Sequence, residues 1–383
     1  MRTHKRRGCL AFFLMLLFLV VAGGSIVFFA RTGIFHDIAV IGSERMQRIP
    51  ALKNLSSGQE VPMINDKKEL IRLVNQSLEK GEEEIVFRTE ELDDDFIHHI
   101  NSCIEAFNGT CENYVTTDYK VFREINMTCS LSNAWYARAR ILEDKEIPKE
   151  KKIAAKLARK CSRILKKLEL DGLSDYRKEK KIHDYLVLHT VYTTEGDREL
   201  LGTAEGPLLH GKGVCSGYAR AMKLLCDLSG VTCSTIMGTA GKEDHEWNLV
   251  HIDKHWYHVD VTWDDPLPDH GYPMFSYLNL TDDHMAIDHT WERDYYPKAD
   301  SEIYDYYLLN EAFCEDFDAF KAYMEKALST QPDSVRVMVA DYHKKDYSED
   351  NLSFLFTCSG ARKYSYATCG SKKRMEMYFV FEY

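Results

Sequence analysis

GVCSGYARAMKLLCDLSG (residues 213–230) runs directly into VTCSTIMGTAGKEDHEWNLVHIDKHWYHVDVTWDDP (residues 231–266). A cysteine opens what reads as a helix, and a histidine and an aspartate follow on what read as two successive strands. That is the order of a thiol nucleophile, its base and an orienting carboxylate, and it nominates Cys215, His245 and Asp260. Across residues 215–228 the apolar Ala219, Met222, Leu225 and Leu228 recur at helical spacing, and Gly230 stands where a C-terminal glycine belongs. Cys215 is therefore expected in the first turn, where unpaired N–H groups and the positive end of the helix dipole favour a thiolate. Gly213 and Gly217 are expected to leave the sulfur approachable. Cys226 and Cys233, in a helix interior and a strand, read as small apolar residues.

Two alternating runs, residues 246–252 and 256–262, flank Asp253, Lys254 and His255 and predict a hairpin. If Ile252 faces His255, Trp247 falls opposite Asp260, and His245 becomes a diagonal neighbour of Asp260 on one sheet face, within about 7 to 8 Å. A slip of one residue would send them to opposite faces. The rival histidines His251, His255 and His258 lack the CxxC or HExxH pairs on which zinc sites draw. Asp264, Asp265 and Asp269 mimic a calcium loop, but Pro266 and Pro268 interrupt it. Neither a metal nor a cofactor is expected.

The run GVCSGYARAMKLLC, the HEWN of residues 245–248, WYHVDVTWDDP from residue 256 and YLNLTDDHMAIDHTW of residues 277–291 resemble the transglutaminase-like superfamily, especially its bacterial kyphoscoliosis-peptidase-type members. The resemblance covers residues 182–291. It implies an α+β, papain-like core, with the cysteine helix packed on an antiparallel sheet, in which Cys215 is nucleophile, His245 base and Asp260 orienter. Glu246 stands where the family often has alanine, and a carboxylate beside the base is expected to raise the imidazole pKa. For the oxyanion, Tyr192 and His210 are candidate partners and the backbone N–H of Cys215 the preferred donor. The implied chemistry is a Cys215 thioester formed on a protein or peptide amide. An amine resolves it by crosslinking, water by deamidation or proteolysis. The alternative is a non-catalytic cell-surface protein that uses the fold to bind peptides or cell-wall polymer.

Residues 9–30, CLAFFLMLLFLVVAGGSIVFFA, carry no charge and follow Arg2, Lys5, Arg6 and Arg7. The uncharged run spans about 34 Å as a helix, enough for a hydrocarbon layer of about 30 Å. The positive-inside rule keeps the N-terminus cytoplasmic and the bulk of the chain outside. Expected boundaries are 1–33 for tail and anchor, 34–144 for an N-terminal accessory α/β module, 145–300 for the catalytic core and 301–383 for a C-terminal accessory α/β module. Both flanks read as strand-helix-strand-strand: residues 84–88, 92–107, 119–129 and 133–142 in the first, and 335–341, 349–356, 363–368 and 374–381 in the second. Among 11 cysteines, Cys358 and Cys369 flank the last hairpin and are candidates for a bridge.

The chain has 383 residues, 45% of them hydrophobic, and a net charge of −11, yet Lys145 to Lys181 holds 14 Lys or Arg against 6 Asp or Glu. Ile153, Leu157, Ile164 and Leu168 give that stretch a buried stripe, so its basic face is free to be solvated or to lie on anionic headgroups or wall polymer. Nucleic acid is not an expected partner of an acidic chain outside the cell with no recognised binding motif.

Overall fold

The computed structural model describes residues 61–90, 107–119, 121–265 and 271–383. The expected anchor, and all but the last residue of the helix expected over 92–107, lie outside them. Among the described residues no helix is long and apolar enough to cross a membrane. In chain order the longer elements are α1 (Lys67–Lys80), β1 (Glu84–Thr89), β2 (Gly109–Asp118), β3 (Arg123–Leu131), α2 (Asn133–Glu143), α3 (Lys152–Leu168), α4 (Asp175–His189), β4 (Val191–Tyr192), β5 (Lys212–Gly213), α5 (Cys215–Ser229), β6 (Thr232–Ala240), β7 (Glu243–Ile252), β8 (His255–Val259), β9 (Leu278–Leu280), β10 (His289–Trp291), β11 (Phe313–Cys314), α6 (Phe317–Leu328), β12 (Ser334–Ala340), β13 (Lys363–Ser371) and β14 (Arg374–Glu382).

The described residues divide into two compact units, the smaller comprising 61–65, 84–90, 113–119 and 121–128. In it β1 runs antiparallel to β3, with Glu84 facing Thr128 and Thr89 facing Arg123, in a sheet of order β1-β3-β2. Arg88 pairs with Glu124 at 3.0 Å across that register. The larger unit holds the rest, including a disulfide between Cys111 and Cys129.

Residues 133–142, expected as a strand, form helix α2 instead. The Ser132 hydroxyl accepts the Trp135 N–H at 2.9 Å and caps the start, and Ala134, Ala137 and Ala139 supply strong helix formers that a strand would use poorly. Trp135, Tyr136 and Ile141 carry β propensity but sit where a cap decides. In the C-terminal stretch the expected order appears. The helix over 349–356 is broken at Ser353 into two short pieces, and α6 with β11 precedes it. Strands β12, β14 and β13 form a sheet of order β11-β12-β14-β13. Cys358 and Cys369 are both free thiols, so the expected bridge is absent. Ser276 Oγ donates to the Cys369 carbonyl at 3.0 Å, and the Cys369 thiol donates to the Trp263 carbonyl at 3.1 Å.

The centre of the larger unit is α5 on an antiparallel sheet of order β10-β6-β7-β8-β9. Ten of the fifteen residues of α5 are buried, with Met222, Leu224, Leu225 and Cys226 fully so. They pack with Ile182 and Leu186 of α4, Leu157 and Ile164 of α3, and Val250, Ile252, Tyr257 and Val259 of the sheet. Each large apolar side chain buried there contributes about 1.5 to 3 kcal/mol. The helix ends at Gly230 in the left-handed region, φ 81°, as its position predicts.

Candidate active site

Residue by residue, the structure brings the three sequence-nominated groups together. Cys215 is the first residue of α5, half-buried, with Val214 as N-cap. The hairpin register pairs Ile252 with His255 and Asn248 with Val259, as the sequence permits. That places His245 and Asp260 on one face, with His245 Nε2 2.7 Å from Asp260 Oδ2. The carboxylate accepts from Nε2–H, which leaves Nδ1 open, and the Cys215 thiol acts on the same ring, raising its pKa. Asp260 Oδ1 accepts the backbone N–H groups of Thr262 at 3.0 Å and Trp263 at 3.1 Å, because the chain turns sharply after β8.

The electrostatics follow from this packing. Burial alone would push the His245 imidazole down, but the charge and hydrogen bond of Asp260, then the hydrogen bond and charge of Cys215, hold it at about 10. Burial works against an ionised Asp260, and His245 and His289 overcome it and keep the carboxyl well below the usual range.

Glu246 does feel the charge of His245, although Asp260 and Cys215 dominate the shift of the base. It lies on the opposite face of β7 and is gripped bidentately by Arg220 of α5, Nε to Oε1 at 3.1 Å and Nη2 to Oε2 at 3.0 Å. Arg220 Nη1 also donates to the Gly202 carbonyl at 2.9 Å. Asn248, on that same face, donates to the Ala219 carbonyl at 2.9 Å. These contacts fasten the cysteine helix to the histidine strand.

Gly213 and Gly217 serve backbone approach more than access. A Cβ on Gly217 would stand 2.2 Å from the Leu201 carbonyl oxygen, and one on Gly213 2.9 Å from Pro207. Tyr192 pairs with Gly213 in a short parallel ladder, and burial followed by the nearby Cys215 charge raises its phenol pKa, so it stands beside the thiol. His210 is exposed at the end of a short π-helix.

The rival residues have other partners. His258 Nδ1 accepts from Trp247 Nε1 at 3.0 Å, so its Nε2–H donates to Asp282 at 2.9 Å. His251 packs against the Trp256 ring. Asp264 reaches His183 Nε2 at 3.1 Å and accepts the Tyr277 N–H, while Asp265 accepts from the Tyr218 hydroxyl. Asp269 lies outside the described residues.

Sequence reasoning missed a second imidazole. His289 Nε2 lies 3.2 Å from Asp260 Oδ2, the same oxygen that His245 engages, and its Nδ1 lies 2.6 Å from Asp288 Oδ1. The Tyr277 hydroxyl donates to Asp288 Oδ2 at 2.8 Å. Trp263 lies over both imidazoles, with ring centroids 6.0 Å from His245 and 4.6 Å from His289. The nearest polar atoms of His245, Asp260 and His289 fall within 4.8 Å of one another. Hydrogen bonding accounts for that spacing, since both imidazole nitrogens aim at a single carboxylate oxygen and not at a common point between the three. The only sequence signal for this group was the IDHTW stretch at residues 287–291, already quoted but without a role.

A cavity of about 570 Å³ lies at the other end of α5, lined in part by Arg72, Asn108, Arg138, Lys223, Asp227 and Tyr295. None of the three nominated residues lines it, so its size says nothing about the chemistry at Cys215.

A cysteine opening a helix that packs on an antiparallel sheet defines an α+β core. Residues 163–261 match the family described as Transglutaminase-like superfamily. The chain is 28% identical over 158 residues to the mouse (Mus musculus) protein named Kyphoscoliosis peptidase, covering 35% of this chain and 24% of that one. The human (Homo sapiens) protein of the same name is 34% identical over 76 residues, covering 17% and 12%. The chain thus spans at most about a quarter of the length of these curated relatives. A solved structure titled "Crystal structure of a TGase" is similar at 16% identity and a TM-score of 0.28, over 55% of this chain and 61% of that one. Residues 163–261 thus carry a transglutaminase-like superfamily domain.

Proposed function

We propose that the chain is a thiol acyl-transfer enzyme acting on protein or peptide amides, with Cys215, His245 and Asp260 as its catalytic triad. The observation that carries this reading is one imidazole bonded to Asp260 at 2.7 Å and raised in pKa both by that carboxylate and by a thiol at a helix start. The Cys215 thiolate attacks the amide carbonyl carbon, a C–S bond forms, and the negative charge moves to oxygen. The Cys215 backbone N–H, pointing out of the first turn, and the Tyr192 hydroxyl beside it stabilise that oxyanion. Collapse breaks the C–N bond, the His245 imidazolium gives its proton to the departing amine or ammonia, and a thioester remains. Water or a second amine then attacks the thioester, His245 takes the proton, and the thiolate leaves. Asp260 keeps the imidazole in the tautomer and charge state both steps need.

The same reading places the protein at the membrane, anchored by residues 9–30 with the core outside. The basic face of residues 145–181 rests on anionic headgroups or wall polymer. In the structure that stretch includes α3, with Leu157, Ala158, Cys161 and Ile164 turned inward.

The test uses the full chain and its Cys215→Ala variant, each incubated with a mixed protein substrate and a labelled primary amine. Amine incorporation or ammonia release lost in the variant supports acyl transfer. New N-termini lost in the variant mark hydrolysis, the activity that the relatives' name, peptidase, carries. If neither protein yields any of the three across pH and iodoacetamide shows no preference for Cys215, the binding-only alternative replaces this reading.

A further inference from the structure

The proposed triad does not end at Asp260. His289 stands between two carboxylates, Asp260 Oδ2 at 3.2 Å and Asp288 Oδ1 at 2.6 Å. A neutral imidazole has one N–H, and the other nitrogen would then point a lone pair at a carboxylate oxygen. Only the doubly protonated ring donates to both, so the fold holds a cation on the far side of the triad carboxylate. The ring is fully enclosed, against Trp263 at 4.6 Å, Trp247 at 5.1 Å and Tyr277 at 5.6 Å between centroids. In so dry a setting, the charge is felt strongly.

We propose, on the strength of the triad reading above, that His289 is a positioning residue whose charge sets how firmly Asp260 holds the proton on His245. Two imidazoles share one oxygen of Asp260, so the field of that carboxylate is divided between them. With His289 charged, His245 is a stronger acid than an undivided Asp260 would make it. It then yields its proton more readily to the leaving amine. Asp288 is the device that keeps His289 charged, and the Tyr277 hydroxyl at 2.8 Å in turn holds Asp288 in place. The charged or titratable groups facing His289 are Asp288 just before its own strand, Asp260 after β8, His245 of β7 at 5.5 Å between ring centroids, His258 of β8, and Tyr277 before β9. Of these, His258 is held neutral by its bonds to Trp247 and Asp282.

The experiment is the pH dependence of iodoacetamide alkylation at Cys215. It is followed by mass spectrometry of the Cys215 peptide in the full chain, with kcat against pH for whichever activity the wild type shows. His289→Gln removes the cation. Asp288→Asn preserves a hydrogen-bonding partner for Nδ1 while removing the reason for the charge, and it stands in if His289→Gln does not fold. Both variants are expected to move the alkaline limb of the profile upward by about one pH unit and to lower kcat at neutral pH by roughly tenfold. Thermal unfolding should stay cooperative. If the variant profiles superimpose on the wild type with only their amplitude reduced, His289 is packing and the proposal fails while the triad stands. If wild-type Cys215 shows no preferential alkylation at any pH, the triad reading and this inference fall together.

Discussion

Asp260 accepts four donors: two imidazoles on one oxygen and two backbone N–H groups on the other. Its charge is what holds His245 at about 10 against burial. Asp260→Asn is therefore expected to drop the imidazole to its ordinary value of about 6.5 or lower. The alkaline limb of Cys215 alkylation should fall by several pH units, with kcat/KM down roughly 10²- to 10⁴-fold. An unmoved limb would show that Asp260 does not control the base. The pair also links stability to pH. His245, raised in the fold, contributes stability that is complete below its unfolded value and lost as pH climbs through about 10. Asp260, depressed in the fold, contributes stability present above the ordinary carboxylate range and lost as pH falls below it. Cys215, His245 and Asp260 were legible because a helix start and a two-residue hairpin turn are local signals. His289 was not, because its approach to Asp260 depends on β10 pairing with β6 across the sheet, which no local pattern encodes.

Among the elements, α5 and its neighbours show where local reading reaches its limit. The helix was legible from Ala219, Met222, Leu225, Leu228 and Gly230, whereas the reason for Gly217 was not, since its contact is with Leu201, sixteen residues upstream. Gly217→Ala should push that backbone away, cost about 1 to 3 kcal/mol in denaturant unfolding and slow Cys215 alkylation. Wild-type stability in that variant would mean the Leu201 segment yields freely. Helix α2 was misread because Ser132 capping outweighed the β propensity of Trp135, Tyr136 and Ile141. Within α4, burial pushes the Glu179 carboxyl up to about 8 against the hydrogen bond from Asn279 at 2.8 Å. A carboxyl raised in this way favours the fold below its unfolded value of about 4.3 and costs stability as pH climbs to about 8. Glu179→Gln, a neutral mimic of the protonated acid, should leave stability nearly unchanged at pH 5 and raise it by roughly a few kcal/mol at pH 9, seen as a Tm gain at pH 9 alone. Parallel Tm curves for the two proteins would contradict the buried, protonated acid.

Within the larger unit, the C-terminal sheet reaches Phe275 and Ser276, beyond the proposed triad carboxylate in the chain. Glu376 of β14, fully buried, accepts the Phe275 N–H at 2.7 Å, the Ser276 hydroxyl at 3.0 Å and Arg336 Nη1 at 2.8 Å. The strands of that module were legible from their alternation, but this brace was not, because residues 275 and 376 meet only through tertiary packing. Glu376→Gln should leave Arg336 without its counter-charge, cost about 3 to 5 kcal/mol in urea unfolding and lower activity through Phe275 and Ser276, which it holds. A stable variant with full activity would reduce the module to an appendage.

Arg220 deserves its place in that larger picture, since one guanidinium ties the cysteine helix to Glu246, the neighbour of the proposed base, and to the Gly202 turn. Through it the helix that carries the thiol and the strand that carries the imidazole are fastened to each other. On the proposed chemistry, discrimination between substrates is left to the surrounding loops. Those segments are free to diverge because the distance on which the chemistry depends is not theirs to set.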